Sequence, residues 1–201
     1  MRPLLAGAAC ALLAGCAGSL LESDTPADRI YSLQATAPQA AVATSPVEAS
    51  IAVARPRVAP GLATERIAVR TDRNEIDYYR GARWGGTAAE IVQSFLVQSL
   101  RESGAFALVA PESAPVAADF LLDLELKEFH ADQTGAGPPV ARFSVVATLI
   151  EIRTRRAVLS FVAAAEVPAE ADRMGAVVEA MERAANQAAG DLADRMSAAL
   201  R

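Results

Sequence analysis

The stretch DFLLDLELKEF, residues 119–129, alternates with a period of two. Phe120, Leu122, Leu124 and Leu126 share one face, while Asp123, Glu125 and Lys127 take the other. That pattern belongs to an antiparallel strand with one face buried and one solvated. Its apolar face needs a cover, and two other segments have the helical period to supply it. The first opens at Thr87-Ala88-Ala89-Glu90, a capping box in which the Thr hydroxyl and the Glu carboxylate satisfy early amides reciprocally. Ile91, Val92, Phe95, Leu96 and Leu100 follow on one face, and Gly104 suits the left-handed stop. The second runs from about Asp172 and aligns Met174, Val177, Val178, Met181, Ala185, Ala188, Leu192, Met196 and Ala199. This stripe of Met and Ala reads as a packing face rather than a ligand groove.

Further strands are predicted at Ile30–Leu33, at Ile51–Ala54 closed by Arg55-Pro56, and at Phe106–Val109. Ile67–Arg70 and Glu75–Tyr79 form a hairpin across Asp72-Arg73-Asn74, where Asp and Asn suit turn geometry. After the Gly-Pro break at 134–139, residues 141–152 and 157–167 read as two long strands joined by the charged turn Arg153–Arg156. Two helices can cover only one side of such a sheet. The expected fold is therefore α+β (an α/β layer), a mixed, curled sheet of about six to eight strands with two main helices packed on one side. Residues 30–201 form a single domain, and residues 34–50, rich in Ala, Pro, Ser and Thr, read as a long loop within it.

Upstream, Met1-Arg2 precedes an uncharged apolar run at residues 4–14. That run is far shorter than the roughly 20 residues a membrane span needs, and matches the apolar region of a secretory leader. Leu13-Ala14-Gly15-Cys16 then has the form of a bacterial lipobox. Small side chains at 14 and 15 let the chain lie extended in a peptidase cleft, and the Cys16 thiol is the nucleophile that accepts diacylglycerol. The expected organisation is a lipoprotein signal peptide at 1–15, then an acylated Cys16 and flexible tether at 16–29. Acyl chains such as palmitate would anchor the chain at about 0.8 kcal/mol per buried CH₂. Ala17, rather than Asp, follows the cysteine, which by the enteric rule sends the protein to the periplasmic face of the outer membrane; inner-membrane retention is the alternative. The chain's other cysteine is Cys10, inside the leader, so no disulfide is expected.

The net charge of −5 and the single histidine speak against a nucleic-acid partner. No catalytic constellation is legible. His130 has no serine in an elbow context and no second metal ligand at useful spacing, and reads as a strand-end surface residue. Asp119, Asp123 and Glu125 read as the solvated face of a strand. Gly85-Gly86 resembles an anion-binding helix start, with a turn as the simpler reading. No metal, cofactor or enzymatic activity is expected. The segment Tyr78-Tyr79-Arg80-Gly81-Ala82-Arg83-Trp84 sets aromatics among arginines. Tyr78, Tyr79, Arg83 and Trp84 could be a contact patch for a partner or a lipid headgroup; alternatively Trp84 plugs the core where hairpin meets helix.

Taken in order, the lipobox, Tyr31-Ser32-Leu33, the run from Ile51 through the hairpin to Trp84, and the amphipathic helix resemble the ABC-type transport auxiliary lipoprotein family, which includes the paraquat-inducible lipoprotein C group. The matching residues are Arg70 or Arg73, Ile76, Tyr78, and the Arg83-Trp84 step into the helix. Gly85-Gly86-Thr87 departs from the Ala-Glu/Asp-Pro start of many relatives. The resemblance implies a non-enzymatic component that accompanies an ABC permease, its ATPase and a periplasmic MCE-domain protein. Such systems move phospholipid or other hydrophobic molecules between the two membranes. It further implies a mixed-sheet fold and allows a homo-oligomeric ring. A lipid-binding carrier and a structural envelope lipoprotein that assists another outer-membrane complex are the rival roles.

Overall fold

The computed structural model describes residues 27–36 and 46–201. Cys16, the leader, most of the tether and part of the Ala- and Pro-rich loop lie outside the described residues. In chain order the elements are β1 (Arg29–Tyr31), β2 (Val47–Val53), β3 (Arg57–Val58), β4 (Arg66–Asp72), β5 (Glu75–Trp84), α1 (Ala88–Glu102), β6 (Phe106–Pro111), β7 (Phe120–Asp132), β8 (Val140–Glu151), β9 (Arg156–Pro168) and α2 (Met174–Ala199). The strands form one mixed, curled and unclosed sheet, and the two helices cover one side. This is the α+β architecture expected, with the two-residue β3 as an addition. Residues 47–50, read as loop, belong to β2.

β7 is the spine. Along one edge it pairs antiparallel with β8, from Phe120 opposite Glu151 to Asp132 opposite Val140. β9 then pairs antiparallel with β8 and completes a three-stranded ribbon. Along its other edge β7 receives three separate strands in parallel: β2 at Phe120–Leu122, β3 at Glu125–Leu126 and β4 at His130–Asp132. Beyond β2 lies β6; beyond β4 lie β5 and then β1. The sheet thus forks at β7.

Each of the three docking strands carries a donor to an acid near β7. Ser50 donates through its backbone N–H (2.9 Å) and hydroxyl (2.6 Å) to Asp119. Arg57 forks onto Asp123 at 2.7 and 3.0 Å. Arg70 donates to Asp132 at 2.8 Å. Two of the acids expected to form a solvated strand face therefore also mark where parallel strands attach.

The core follows the period of two. Leu122, Leu124 and Leu126 are fully buried against the helices, each contributing about 2–3 kcal/mol of apolar transfer. A bulge between Leu126 and Glu128 then inserts one residue and shifts the phase. After it, Phe129 and Ala131 face the core, while His130 and Asp132 turn to the other face. α1 begins as its sequence predicts, with Thr87 as N-cap, Glu90 completing the capping box, and Gly104 at φ 62° beyond the Ser103 C-cap. α2 buries its Ala and Met stripe between the β7–β9 ribbon and α1. On its outer side α2 holds residues 34–36. The Gln34 N–H donates to Glu182 (2.9 Å), the Thr36 N–H donates to Asn186 Oδ1 (2.8 Å), and Asn186 Nδ2 donates to the Gln34 carbonyl (3.1 Å).

Candidate functional site

The aromatic–arginine segment lies on β5, which extends to Trp84, beyond the hairpin end the sequence suggests. Alternation along the strand sends Tyr78 and Tyr79 to opposite faces. Tyr78 lies under the Arg66 guanidinium, 4.4 Å from its ring centroid, and its hydroxyl donates to the Gly61 carbonyl at 2.9 Å. Tyr79 is half-buried with its hydroxyl unpartnered, and burial pushes its pKa up to about 12, with the Asp172 carboxylate adding to the effect. Gly81, at φ 66°, takes the left-handed conformation within an irregular stretch where four β5 residues oppose one of β4.

Trp84 is 1% exposed. Its ring stacks on Phe129 at 4.9 Å and 17°, and Phe129 meets Phe143 edge-on at 5.9 Å. Trp84 therefore plugs the core, and its ring has no surface with which to touch a partner. Arg83 remains half-exposed and donates to Glu65 at 2.8 Å. The four residues do not make one patch; Arg83 is the charged group a contact here would use.

The structure instead assembles a cluster on the face away from the helices, where β4, β7, β8 and β9 lie side by side. Asp132, 9% exposed, accepts from Arg70 and Arg142 (both 2.8 Å) and from the Thr134 hydroxyl (2.7 Å) and N–H (3.0 Å). Arg142 also pairs with Glu166. Burial alone would raise the Asp132 pKa, but the Thr134 hydrogen bonds and the two arginines hold the carboxyl well below the usual range. His130 corrects the expectation of a surface residue: it is 4% exposed and its Nε2 lacks a hydrogen-bond partner. Burial lowers its pKa to about 4, helped by the positive charge of Arg70 and Arg142 and opposed by Asp132, so the imidazole is neutral at pH 7. Nothing in the sequence alone marks this cluster, because it needs the parallel pairing of β4 with β7 and the bulge that turns His130 and Asp132 to one face.

A groove of about 400 Å³ beside it is lined by Arg70, Asp72, Arg73, Asp132 and Thr134. Its two arginines balance its two aspartates, so it carries no excess charge for an ionic ligand. Among the described residues no three His, Cys, Asp or Glu side chains come together as a metal site would need. At the start of α1 the site an anion would take is filled by the chain's own carboxylate. Glu90 accepts from the Thr87 N–H at 2.9 Å, and Arg55 donates to it at 2.9 Å. Those Thr87 hydrogen bonds, assisted by Arg55, hold the Glu90 pKa low. Gly85-Gly86 is thus a turn leading into a self-capped helix.

The family model described as the ABC-type transport auxiliary lipoprotein component matches residues 31–193. A crystal structure of a Xanthomonas campestris protein assigned to DUF330 is 26% identical, with a TM-score of 0.77, covering 85% of this chain and 95% of that one. A second solved structure, of an uncharacterised protein, shares the fold at 16% identity and a TM-score of 0.68, covering 85% of this chain and 99% of that one. No curated protein matches the chain. The matched span runs from the end of β1 well into α2, and takes in the β7 spine and the strands docked on it. The chain therefore belongs to the ABC-type transport auxiliary lipoprotein family.

Proposed function

We propose that this protein is the lipid-anchored auxiliary subunit of an MCE-type ABC transport system, which moves phospholipid or another hydrophobic molecule between the inner and outer membranes. It acts as a docking adaptor for the periplasmic MCE-domain protein and has no turnover of its own. The observation that carries this reading is the family match over residues 31–193 in a chain whose sequence also holds the Cys16 lipobox. In this reading Cys16 carries the acyl anchor, Ala17 directs it to the periplasmic face of the outer membrane, and the segment before β1 is the tether. The twelve residues between Cys16 and β1 then act as a flexible linker, whose reach is about 20 Å root mean square. That reach suits a domain that must meet an assembly rising from the opposite membrane.

The test is an affinity pull-down of the full-length acylated protein from solubilised envelope, with mass spectrometry of proteins and lipids. Recovery of an MCE-domain protein and its permease, without stoichiometric lipid, is the expected result. Stoichiometric lipid without that protein would replace the adaptor with a carrier. A β-barrel or secretin in its place would make the chain an assembly lipoprotein. Cys16→Ser is expected to move the protein from the membrane to the soluble fraction of the envelope; unchanged membrane fractionation would remove the anchor.

A further inference from the structure

The two ends of β7 carry connections of opposite charge. β1 is parallel to β5, β5 is antiparallel to β4, and β4 is parallel to β7, so β1 runs against the spine. Arg29 pairs with Ala82, close to the level of His130, and the chain before it therefore enters at the C-terminal end of β7. The connections at that end are residues 72–75, 133–139 and 169–173. They hold four acids, Asp72, Glu75, Glu170 and Asp172, against two arginines. The β8–β9 turn stands at the opposite end, beyond the 13 residues of β7, which span roughly 40 Å. This turn holds Arg153, Arg155 and Arg156 against one acid, Glu151. Glu151 accepts from Arg153 at 3.3 Å and from the Thr154 hydroxyl, and nearby Asp119 is held by Ser50. Among the described residues no carboxylate lies within salt-bridge distance of Arg155 or Arg156. Both are exposed, and so are Ile152 (44%) and Val158 (42%) on either side of them. Arg155 also sits at φ 57°, the left-handed conformation that favours glycine or asparagine. Turn geometry alone would not select arginine there; the chain keeps the charge at a conformational cost.

We propose that the β8–β9 turn is the point where the periplasmic partner protein docks, through an acidic segment that Arg155 and Arg156 receive while Ile152 and Val158 take its aliphatic contacts. The proposal rests on the adaptor reading and adds the place and the chemistry of the contact. A domain tethered to a membrane from one end of its sheet presents the other end away from that membrane. The occupant of the turn is therefore a protein in the periplasm and not the headgroups of the anchoring bilayer. Charge also sets the direction of approach. The chain carries a net charge of −5, so an acidic segment is repelled by most of its surface and drawn to the one turn where arginine exceeds acid.

The experiment repeats the envelope pull-down with full-length acylated chains. One carries Arg155→Gly together with Arg156→Gln; a control carries Arg73→Gln, which removes a positive charge at the tether end. The MCE-domain protein recovered per chain is measured at low and at moderate salt. About tenfold less is expected on the double variant, with no change on the control, and recovery on the unsubstituted chain should fall as salt rises. Glycine suits the left-handed position, so the double variant should melt close to the unsubstituted chain. Should it melt early, Arg155→Gly alone carries the test, with a loss of about threefold. Undiminished recovery on the folded double variant would overturn the docking point and leave the adaptor reading standing. No MCE-domain protein on the unsubstituted chain would overturn both. An equal loss on Arg73→Gln would reduce the effect to overall charge and overturn the assignment to this turn. Cys16→Ser chains that float with phosphatidylglycerol vesicles only when Arg155 and Arg156 are present, while partner recovery stays constant, would give the turn to a lipid surface and overturn it as well.

Discussion

Along one edge of β7 the partner strand follows in sequence and pairs over the whole length; along the other, three short strands arrive from far earlier in the chain and dock end to end. The first edge closes small loops, through the stretch between β7 and β8 and the turn before β9. The second closes large ones: Ser50 and Asp119 are 69 positions apart. Loop closure costs more as the loop lengthens, although slowly, and contacts of high sequence separation form late. The two edges are also held differently. The ribbon has a nearly continuous ladder. The docked edge has two or three register positions per strand for β3, β2 and β4, each supplemented by a donor to Asp119, Asp123 or Asp132. Short ladders need such clasps because a few strand pairs alone do not offset the entropy of ordering them.

The largest expected effect breaks the link between the two sides. Trp84 belongs to the docked branch but stacks on Phe129 of the spine, which in turn meets Phe143 of the ribbon. Trp84→Ala should cost about 4 kcal/mol in denaturant unfolding. A loss below about 1 kcal/mol would show that the branch and the ribbon are stabilised independently.

The next effect sharpens the comparison at one clasp, through pH. His130 has a folded pKa near 4, below its ordinary value, so between those two values the unfolded chain binds the extra proton. Stability should therefore fall as pH drops from about 6.5 toward 4, by about 2–3 kcal/mol in total. Below that range Asp132 takes over. Its carboxyl is held low in the folded state, so the stability it contributes is present above the ordinary carboxylate pKa and is lost as pH falls through and below it. His130→Leu should abolish the first limb and leave the second. It should also stabilise the fold at pH 7 by about 1 kcal/mol by removing a buried nitrogen without a partner. An unchanged melting profile between pH 4 and 6.5 in His130→Leu would place the acid sensitivity elsewhere.

The smallest effect is local. Thr87→Ala should cost about 1 kcal/mol and fray the first turn of α1, as read by amide exchange, with the ribbon unaffected. Protection lost equally across β7–β9 would mean that α1 and the ribbon unfold as one unit.

These contrasts explain what was legible beforehand. The ribbon and both helices follow from local periodicity: β8 and β9 begin and end within a residue or so of the apolar runs that suggest them, and α1 starts at its capping box. The spine is legible through Leu126. Beyond it a single inserted residue inverts the alternation, which no local pattern announces: Phe129 and Ala131 take the core face, and His130 and Asp132 go to the opposite face, where His130 is buried instead of lying at the surface as expected. The docked edge is less legible still. β3 has two residues, too few for any period, and β2 begins inside what composition marks as loop. Asp119 and Asp123 look like ordinary solvated acids until the strands that need them are in place. The core role of Trp84, one of two readings open at the start, is settled by the ring beneath it.

β1 gives the molecule a mechanical character. Whatever load reaches the domain through the preceding chain arrives first at Arg29–Tyr31, which lies in parallel register with Ala82–Trp84. A pull along that strand would shear all its register positions together, whereas a pull across it would peel them one by one. If β1 gave way, the next resistance would be the grip of Glu182 and Asn186 on Gln34 and Thr36. The chain entering the domain is thus fastened twice, first to the sheet beside Trp84 and then to α2, so tension along it would meet the strand that carries the stacked ring before it met the helix.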